Sequence, residues 1–222
     1  MNTKKTVYVI IGGTSGIGAE LANQLKSDNT VIHVASRKTG LDINDEQSVY
    51  RYFESIGAID HLVITAGSFA PAGKVTDIDT AAAKAAFDTK FWGTVRTVKH
   101  AARYIKQGGS ITLTTGMLSR KVVAGTYVKT AINAALEAIT KVLAKELAPI
   151  RVNAVSPGLT QTEAHKGMSE EDRNAMYQHS QSKLPVGKVG QPTDIAMAYE
   201  LLMHNSYMTG AVIDVEGGAL LN

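Results

Sequence analysis

The sequence predicts an α/β fold in which one doubly wound parallel sheet is covered by helices on both faces. Strand-like and helix-like segments alternate from the first residues, and several of the strand-like segments are continuous apolar runs rather than alternating ones. Continuous apolar strands are typical of parallel sheets buried on both faces, and the alternation implies crossover helices. No linker, repeat or low-complexity segment interrupts the pattern, so residues 1–222 are expected to form a single domain.

The first half of the chain is predicted to contain three strands and two helices. Thr6–Ile11 is a run rich in β-branched residues that ends in glycines, and Thr30–Ala35 and His61–Thr65 are similar runs, so each favours a strand. Ile17–Lys26 carries apolar residues at helical spacing, and Asp45–Ile56 opens with acidic residues that favour a helix N-terminus.

The second half continues the alternation. Ala81–Ile105 is expected to form one long helix or two short ones, Ser110–Thr115 a strand, and the alanine- and leucine-rich segment Thr130–Leu147 a helix. Arg151–Ser156 is predicted as a strand because its apolar run stops at a Pro-Gly pair. A surface helix, a further helix and a last strand are expected at Ser169–Ser182, Asp194–Met203 and Ala211–Val215.

Composition limits the functions that the chain can have. Hydrophobic residues make up 44% and charged residues 19%, which is typical of a globular protein with a large core. The absence of cysteine excludes disulfides and thiolate chemistry, and the six histidines lack metal-site spacing, so no metal is expected. The net charge of +3 comes from dispersed basic residues, which disfavours nucleic acid as a partner. The first apolar run is too short for a membrane span, and a soluble, cytoplasmic protein is expected.

A glycine-rich turn connects the first predicted strand to the first predicted helix. Gly12 permits the tight turn, Gly16 lets the backbone approach a pyrophosphate, and Gly18 allows the helix to pack closely on the strand. The helix N-terminus supplies free N–H groups and a positive dipole for the phosphates. The sequence therefore predicts a dinucleotide-binding turn that also includes Thr14, Ser15 and Ile17.

The G-x-x-x-G-x-G spacing of this turn resembles that of the short-chain dehydrogenase/reductase family, and the resemblance extends over nearly the whole chain. It covers the pair Asp42-Ile43, the run Arg151–Gly158 and the C-terminal glycines, whereas Ile64 and Thr65 stand where the family usually has two asparagines. The resemblance implies a Rossmann-like fold, a small-molecule carbonyl or alcohol substrate, and a homodimer or homotetramer. The further cofactor contacts it implies are Asp42, Ile43, Ala66, Gly67, Pro157, Gly158, Leu159 and Thr162.

The end of the second predicted strand indicates which dinucleotide is bound. Dinucleotide folds that prefer NAD place a carboxylate there to accept hydrogen bonds from the ribose. This chain has Ser36, Arg37 and Lys38 instead, with no carboxylate. An arginine suits a 2′-phosphate, and a serine adds a hydroxyl, so NADP(H) is the expected cofactor.

The resemblance also implies a catalytic set of tyrosine, a lysine four residues later, a serine and an asparagine. This chain departs from that set at all four positions. Lys129 stands at the tyrosine position and Asn133 at the lysine position. Thr115 stands at the serine position and Lys90 at the asparagine position.

Three interpretations of this unusual set stay open. In the first, Tyr127 donates the proton, Thr115 polarises the substrate, and Lys129 or Lys90 supplies the cation. In the second, Lys129 is itself the acid, with a pKa lowered by burial. In the third, the protein is catalytically inactive and binds a dinucleotide to sense it or to assemble. Because the hydride comes from the cofactor, an NADP-dependent oxidoreductase with an atypical site is the favoured interpretation.

The segment Gln161–Val189 is expected to cover the substrate. Covering segments of this kind exclude water and contribute to specificity. It contains two candidate titratable side chains, His165 and His179. Its other polar and apolar candidates for substrate contact are Lys166, Met168, Met176 and Tyr177.

Overall fold

The computed structural model describes residues 5–67 and 69–222, so residues 1–4 and Ser68 of the predicted domain lie outside the described residues. The strands are β1 (Thr6–Ile11), β2 (Thr30–Ala35), β3 (Ile59–Ile64), β4 (Ile105–Thr114), β5 (Arg151–Pro157) and β6 (Val212–Val215). All six are parallel and form one sheet in the order β2-β1-β3-β4-β5-β6. The predicted doubly wound, Rossmann-like α/β fold is confirmed.

Seven α-helices are found in the described part of the chain, and side-chain caps start several of them. Asp45 accepts a hydrogen bond from the Gln47 N–H at 2.9 Å, and Asp79 caps the third helix in the same way. Ser169 accepts from the Asp172 N–H at 3.0 Å, as its spacing predicts. The helices are α1 (Gly16–Gln24), α2 (Glu46–Ile56), α3 (Thr80–Phe87), α4 (Gly93–Ala101), α5 (Tyr127–Glu146), α6 (Glu170–Gln181) and α7 (Pro192–His204).

Both faces of the sheet are buried. On one face, side chains of β1, β3, β4 and β5 pack against α2, α4 and α5, with Val49 and Phe53 fully buried among them. On the other face, the alternate residues pack against α1 and α7, where Leu21 and Tyr199 are fully buried. Burying both sides of each central strand removes apolar area from water at about 25 cal/mol per Å², which makes these two layers the main source of stability.

The segment Ala81–Ile105 resolves into two short helices rather than one long one. A π-helical turn, Asp88–Trp92, separates α3 from α4, and Gly93 follows it where a Cβ would lie 2.8 Å from the Ile43 Cδ1. Strand β4 then starts at Ile105, five residues earlier than predicted, because the polar, glycine-rich stretch before Ser110 pairs irregularly with β3. Short π-helical turns often lie at functional sites, and this one carries Lys90.

Helix α5 begins at Tyr127, three residues before its predicted start at Thr130. Tyr127 and Lys129 therefore lie in the first helical turn, and Asn133 lies one turn further along. Within residues 5–67 and 69–222, no helix has both the length and the apolar character that a bilayer crossing requires.

The order of the strands places a crevice at one edge of the sheet. The chain passes from β1 to β2 on one side and then crosses back to β3 on the other side of β1. The connections after β1 and β3 therefore diverge at the carboxyl ends of these two strands, which is where doubly wound folds bind their ligands.

Candidate active site

A groove of about 630 Å³ lies over the carboxyl ends of β1 to β4. It extends from the end of β2 past the glycine-rich turn to Thr89 and Thr114. Fourteen of the predicted cofactor-binding residues line it, and they are Gly12, Thr14, Ser15, Gly16, Ile17, Gly18, Ser36, Arg37, Lys38, Asp42, Ile43, Ala66, Gly67 and Thr162.

The three predicted glycines of the turn have different neighbours. A Cβ on Gly12 would lie 2.6 Å from the Ala66 backbone nitrogen, and one on Gly18 would lie 2.5 Å from the Thr65 Oγ1. Both glycines are therefore required by packing within the protein. A Cβ on Gly16 would lie 3.3 Å from the Thr162 Cβ and 3.7 Å from the Glu163 Oε2, and all three residues line the groove. Gly16 therefore faces side chains of the segment that follows β5 rather than the backbone of its own turn.

A carboxylate already lies at this turn. The Gly16 N–H, at the start of α1, donates to Glu163 Oε2 at 2.8 Å. A helix N-terminus stabilises negative charge there through its free N–H groups and its dipole. Glu163 therefore occupies a position that suits a phosphate oxygen. No local sequence signal indicates this contact, because the two residues are 147 positions apart.

The end of β2 presents positive charge to the groove. Ser36 caps a short 3₁₀ turn by accepting from the Lys38 N–H at 3.2 Å, which orients the backbone of this segment. The side chains of Arg37 and Lys38 are exposed, and neither forms an ion pair with a described residue. Two unpaired cations beside a serine fit a 2′-phosphate. The backbone N–H groups of the turn at Gly16 fit a pyrophosphate. The residues present therefore fit NADP(H).

The predicted cofactor contacts after β2 and at the end of β5 differ in their relation to the groove. Asp42 lines the groove, and its carboxylate accepts a hydrogen bond from the Asn44 N–H at 2.9 Å, so a contact within its own loop holds this side chain. Pro157 ends β5, Gly158 and Leu159 follow it, and none of the three is among the described residues that line the groove. A Cβ on Gly158 would lie 2.7 Å from the Glu216 Cα, so its lack of a side chain is required by packing.

Lys90 and Asn133 are in contact next to Thr89 and Thr114, the residues at which the groove ends. The Lys90 Nζ donates to the Thr115 carbonyl oxygen at 3.0 Å and to Asn133 Oδ1 at 2.7 Å. Burial, together with the positive charge of Lys129, lowers the pKa of Lys90 to about 8. Relative to the family pattern, lysine and asparagine have exchanged positions between two facing helical segments. In the sequence, Lys90 and Asn133 were two separate departures from the family's catalytic set. The structure brings their side chains into contact.

The hydroxyl groups at the end of β4 point into the protein. The Thr115 Oγ1 is 3.3 Å from the Val155 carbonyl oxygen, and the residue is 3% exposed. The Thr114 Oγ1 bonds to the Ile64 carbonyl oxygen at 2.6 Å, and the Ser119 Oγ bonds to the Glu137 carboxylate at 2.6 Å. Each of these hydroxyls is already engaged by the protein.

Tyr127 and Lys129 lie at the surface. Tyr127 is 39% exposed and lines a separate, largely apolar groove of about 360 Å³ together with Val75 and Val122. The Lys129 side chain is exposed, and its charge lowers the pKa values of both Lys90 and His165. Lys129 therefore lies close enough to both side chains for its charge to act on them.

The predicted covering segment contains α6 and lies against the glycine-rich turn. Gly16, Lys166 and Tyr177 line a pocket of about 710 Å³ between α1 and α6. The His165 and Tyr177 rings are in edge contact, with centroids 6.0 Å apart, and burial lowers the pKa of His165. His179 and Met168 are exposed. Across the described ranges there is no group of three or more acidic or histidine side chains placed to hold a metal ion.

Comparisons with known proteins identify the family. The family model described as Enoyl-(Acyl carrier protein) reductase matches residues 18–219. The short-chain dehydrogenase/reductase ATR9 of Stachybotrys chlorohalonatus is 34% identical, over 96% of each chain. Carbonyl reductase family member 4 of Danio rerio is 31% identical, over 96% of this chain and 97% of its own.

A solved structure is similar to this chain over almost the whole length of the chain. It is described as a small-chain dehydrogenase in complex with NADPH, and it is 74% identical to this chain. The match covers 99% of this chain and 100% of the other, with a TM-score of 0.98. Sequence motifs, fold and comparisons agree that this chain belongs to the short-chain dehydrogenase/reductase family.

Proposed function

We propose that the protein is an NADP(H)-dependent oxidoreductase that reduces a small-molecule carbonyl compound or oxidises the corresponding alcohol. The observation that carries the proposal is one groove that begins at the unpaired cations Arg37 and Lys38, passes the turn at Gly16 and ends at Thr89, the residue before Lys90. Membership of a reductase family supports it, as does the NADPH complex of the 74% identical dehydrogenase.

The cofactor would be held along the groove in the order that the charges suggest. The 2′-phosphate would bind Ser36, Arg37 and Lys38, and the pyrophosphate would bind the backbone N–H groups of the turn, as in other dinucleotide folds. When bound, NADPH supplies a hydride. The other proposed contacts are Gly12, Thr14, Ser15, Gly16, Ile17, Gly18, Asp42, Ile43, Ala66, Gly67, Pro157, Gly158, Leu159 and Thr162.

The proposed catalytic residues are Thr115 after β4, Lys90 on the π-helical turn, and Tyr127, Lys129 and Asn133 on α5. Lys90, Lys129 and Tyr127 each carry a proton that a carbonyl oxygen could accept during reduction. Asn133 holds the Lys90 ammonium. Thr115 contributes its carbonyl oxygen in the same contact, and its hydroxyl would have to leave the Val155 carbonyl oxygen before it could polarise a substrate.

A second candidate function is dinucleotide binding without catalysis. The engaged hydroxyls of Thr114, Thr115 and Ser119 favour it, because each already bonds to the protein and none is free to polarise a carbonyl. A protein of this kind would bind NADPH as a sensor or as part of its assembly.

NADPH oxidation in the presence of activated carbonyl compounds separates the two functions. We expect the wild-type protein to oxidise NADPH with quinones or α-diketones, to form one hydroquinone or hydroxyketone for each NADPH consumed, and to turn over ordinary ketones slowly. The slow rate is expected because the usual tyrosine–lysine pair is absent, and acid catalysis contributes about 10²- to 10⁴-fold. NADPH binding with no oxidation across the whole panel would favour the non-catalytic function.

We further propose that the protein forms a homodimer or homotetramer and works in the cytoplasm, where the cofactor is supplied. Trp92 and Val142 are 50% and 52% exposed near α4 and on α5, and burial of such side chains favours association. Light scattering at micromolar concentration is expected to give a multiple of the 23.6 kDa chain mass. A monomer under these conditions would contradict the proposed assembly.

A further inference from the structure

Among the described residues, two accept hydrogen bonds from the Lys90 ammonium, which leaves one of its N–H groups without a partner there. An ammonium group donates up to three hydrogen bonds. Two are made to neutral acceptors, the Thr115 carbonyl oxygen at 3.0 Å and Asn133 Oδ1 at 2.7 Å. No carboxylate among the described residues forms an ion pair with Lys90. A partly buried ammonium without a counter-charge is ready to donate its third hydrogen bond to an oxygen in which negative charge develops.

The other candidate acids are placed less well for that task. The Tyr127 ring lies in the separate apolar groove and is 39% exposed. The Lys129 side chain is exposed and has no hydrogen-bond partner among the described residues, so nothing fixes its direction. The Thr115 hydroxyl donates into the protein. Lys90 is the one candidate acid in this group whose proton-bearing atom is oriented by two contacts, and it follows Thr89, which lines the groove.

The acidity of Lys90 agrees with this placement. Its pKa is lowered to about 8 by burial and by the charge of Lys129. An acid with a pKa close to the working pH is mostly protonated at pH 7, yet it releases its proton more readily than an ordinary lysine does.

We propose that Lys90 is the general acid of the reduction, with Asn133 and the Thr115 carbonyl oxygen as the groups that orient its ammonium. This inference rests on the proposed function. The carbonyl carbon accepts the hydride, and the electron pair of the C=O π bond moves to the oxygen. That oxygen takes a proton from the Lys90 Nζ, which becomes a neutral amine. The products are the alcohol and NADP⁺, and the amine regains its proton from water.

Two substitutions separate an acid from a simple cation. Lys90→Arg keeps a positive charge and hydrogen-bond donors, but a guanidinium does not release its proton. Lys90→Met removes both the charge and the proton. We expect both variants to lose about 10²- to 10⁴-fold in kcat/KM for carbonyl reduction while still binding NADPH and melting cooperatively. Lys141→Met, which changes an exposed lysine of α5 far from the groove, is the matched control and should keep wild-type activity.

The pH dependence gives a readout that a purely structural role would not change. The kcat/KM of the wild-type protein is expected to fall above about pH 8, as Lys90 loses its proton. Lys129→Met removes the neighbouring charge that lowers the pKa of Lys90, so the fall should move to higher pH. In cofactor-free protein labelled with ¹³C at lysine Cε, one NMR signal should titrate near pH 8, and this signal should be absent from Lys90→Met.

Each outcome decides the proposal. An active wild-type protein whose Lys90→Arg variant keeps activity within a few-fold would overturn it, since Lys90 would then be a cation only. The absence of any lysine that titrates near pH 8 would also overturn it. Wild-type protein that binds NADPH but reduces nothing would instead contradict the proposed function itself, and Lys90 would then have no reaction to serve.

Discussion

The substitution Gly16→Val is expected to abolish dinucleotide binding while the protein still unfolds cooperatively. The Gly16 N–H faces the groove at the start of α1, and a branched side chain there would fill the space that a pyrophosphate needs. Hydrogen bonds to charged groups contribute about 1.5–3 kcal/mol each, so the loss of two would weaken binding by about 100-fold or more. Fluorescence titration with NADPH measures this effect.

The fold should tolerate the same substitution. Gly16 has a φ of +54°, a left-handed conformation that costs a residue with a side chain about 1–2 kcal/mol. That cost is smaller than the usual free energy of unfolding, about 5–15 kcal/mol. Glu163→Gln is the matched variant at the same contact. Because it removes a carboxylate that competes with phosphate, it should bind NADPH up to about fivefold more tightly. Undiminished NADPH binding by Gly16→Val would mean that the glycine serves only the turn.

Alanine at position 37 is expected to weaken NADPH binding by about 10- to 150-fold and to leave NADH binding nearly unchanged. Arg37 is exposed and unpaired, so its guanidinium is available for a bidentate contact with a 2′-phosphate, worth about 1.5–3 kcal/mol. NADH lacks that phosphate and gains nothing from the arginine. Parallel titrations of NADPH and NADH measure the difference, with Arg51→Ala on the exposed side of α2 as the control. Equal affinity of the wild-type protein for both cofactors would contradict the assignment.

The sheet was predictable because its signals are local. Continuous apolar runs such as Thr6–Ile11 and Thr30–Ala35 match their strands residue for residue. The break between α3 and α4 was harder to locate, because the alanine-rich segment has no proline or capping residue at that point. The early start of β4 was missed for a related reason. Its first residues are polar and glycine-rich, and they join the sheet through irregular pairing with β3 rather than through strand propensity.

The parts of the candidate site that short sequence motifs form could be predicted. The parts that arise from contacts between distant segments could not. The glycine-rich turn and the cations at the end of β2 lie within short motifs. The contact between Lys90 and Asn133 spans 43 residues and arises only when the π-helical turn packs against α5. The burial that lowers the pKa of Lys90 has the same origin. The direction of a side chain could not be predicted from the sequence either. Thr115 occupies the predicted position, yet its hydroxyl bonds to the Val155 carbonyl oxygen inside the protein.

If this groove holds NADPH with its reactive end beside Lys90, a crystal structure of the protein soaked with NADPH will show it. We expect the 2′-phosphate between Ser36 and Arg37, the pyrophosphate on the Gly16 N–H in place of the Glu163 carboxylate, and the nicotinamide next to Thr114 and Lys90. A dinucleotide bound outside the groove, or bound there with its nicotinamide directed away from Lys90, would contradict this expectation.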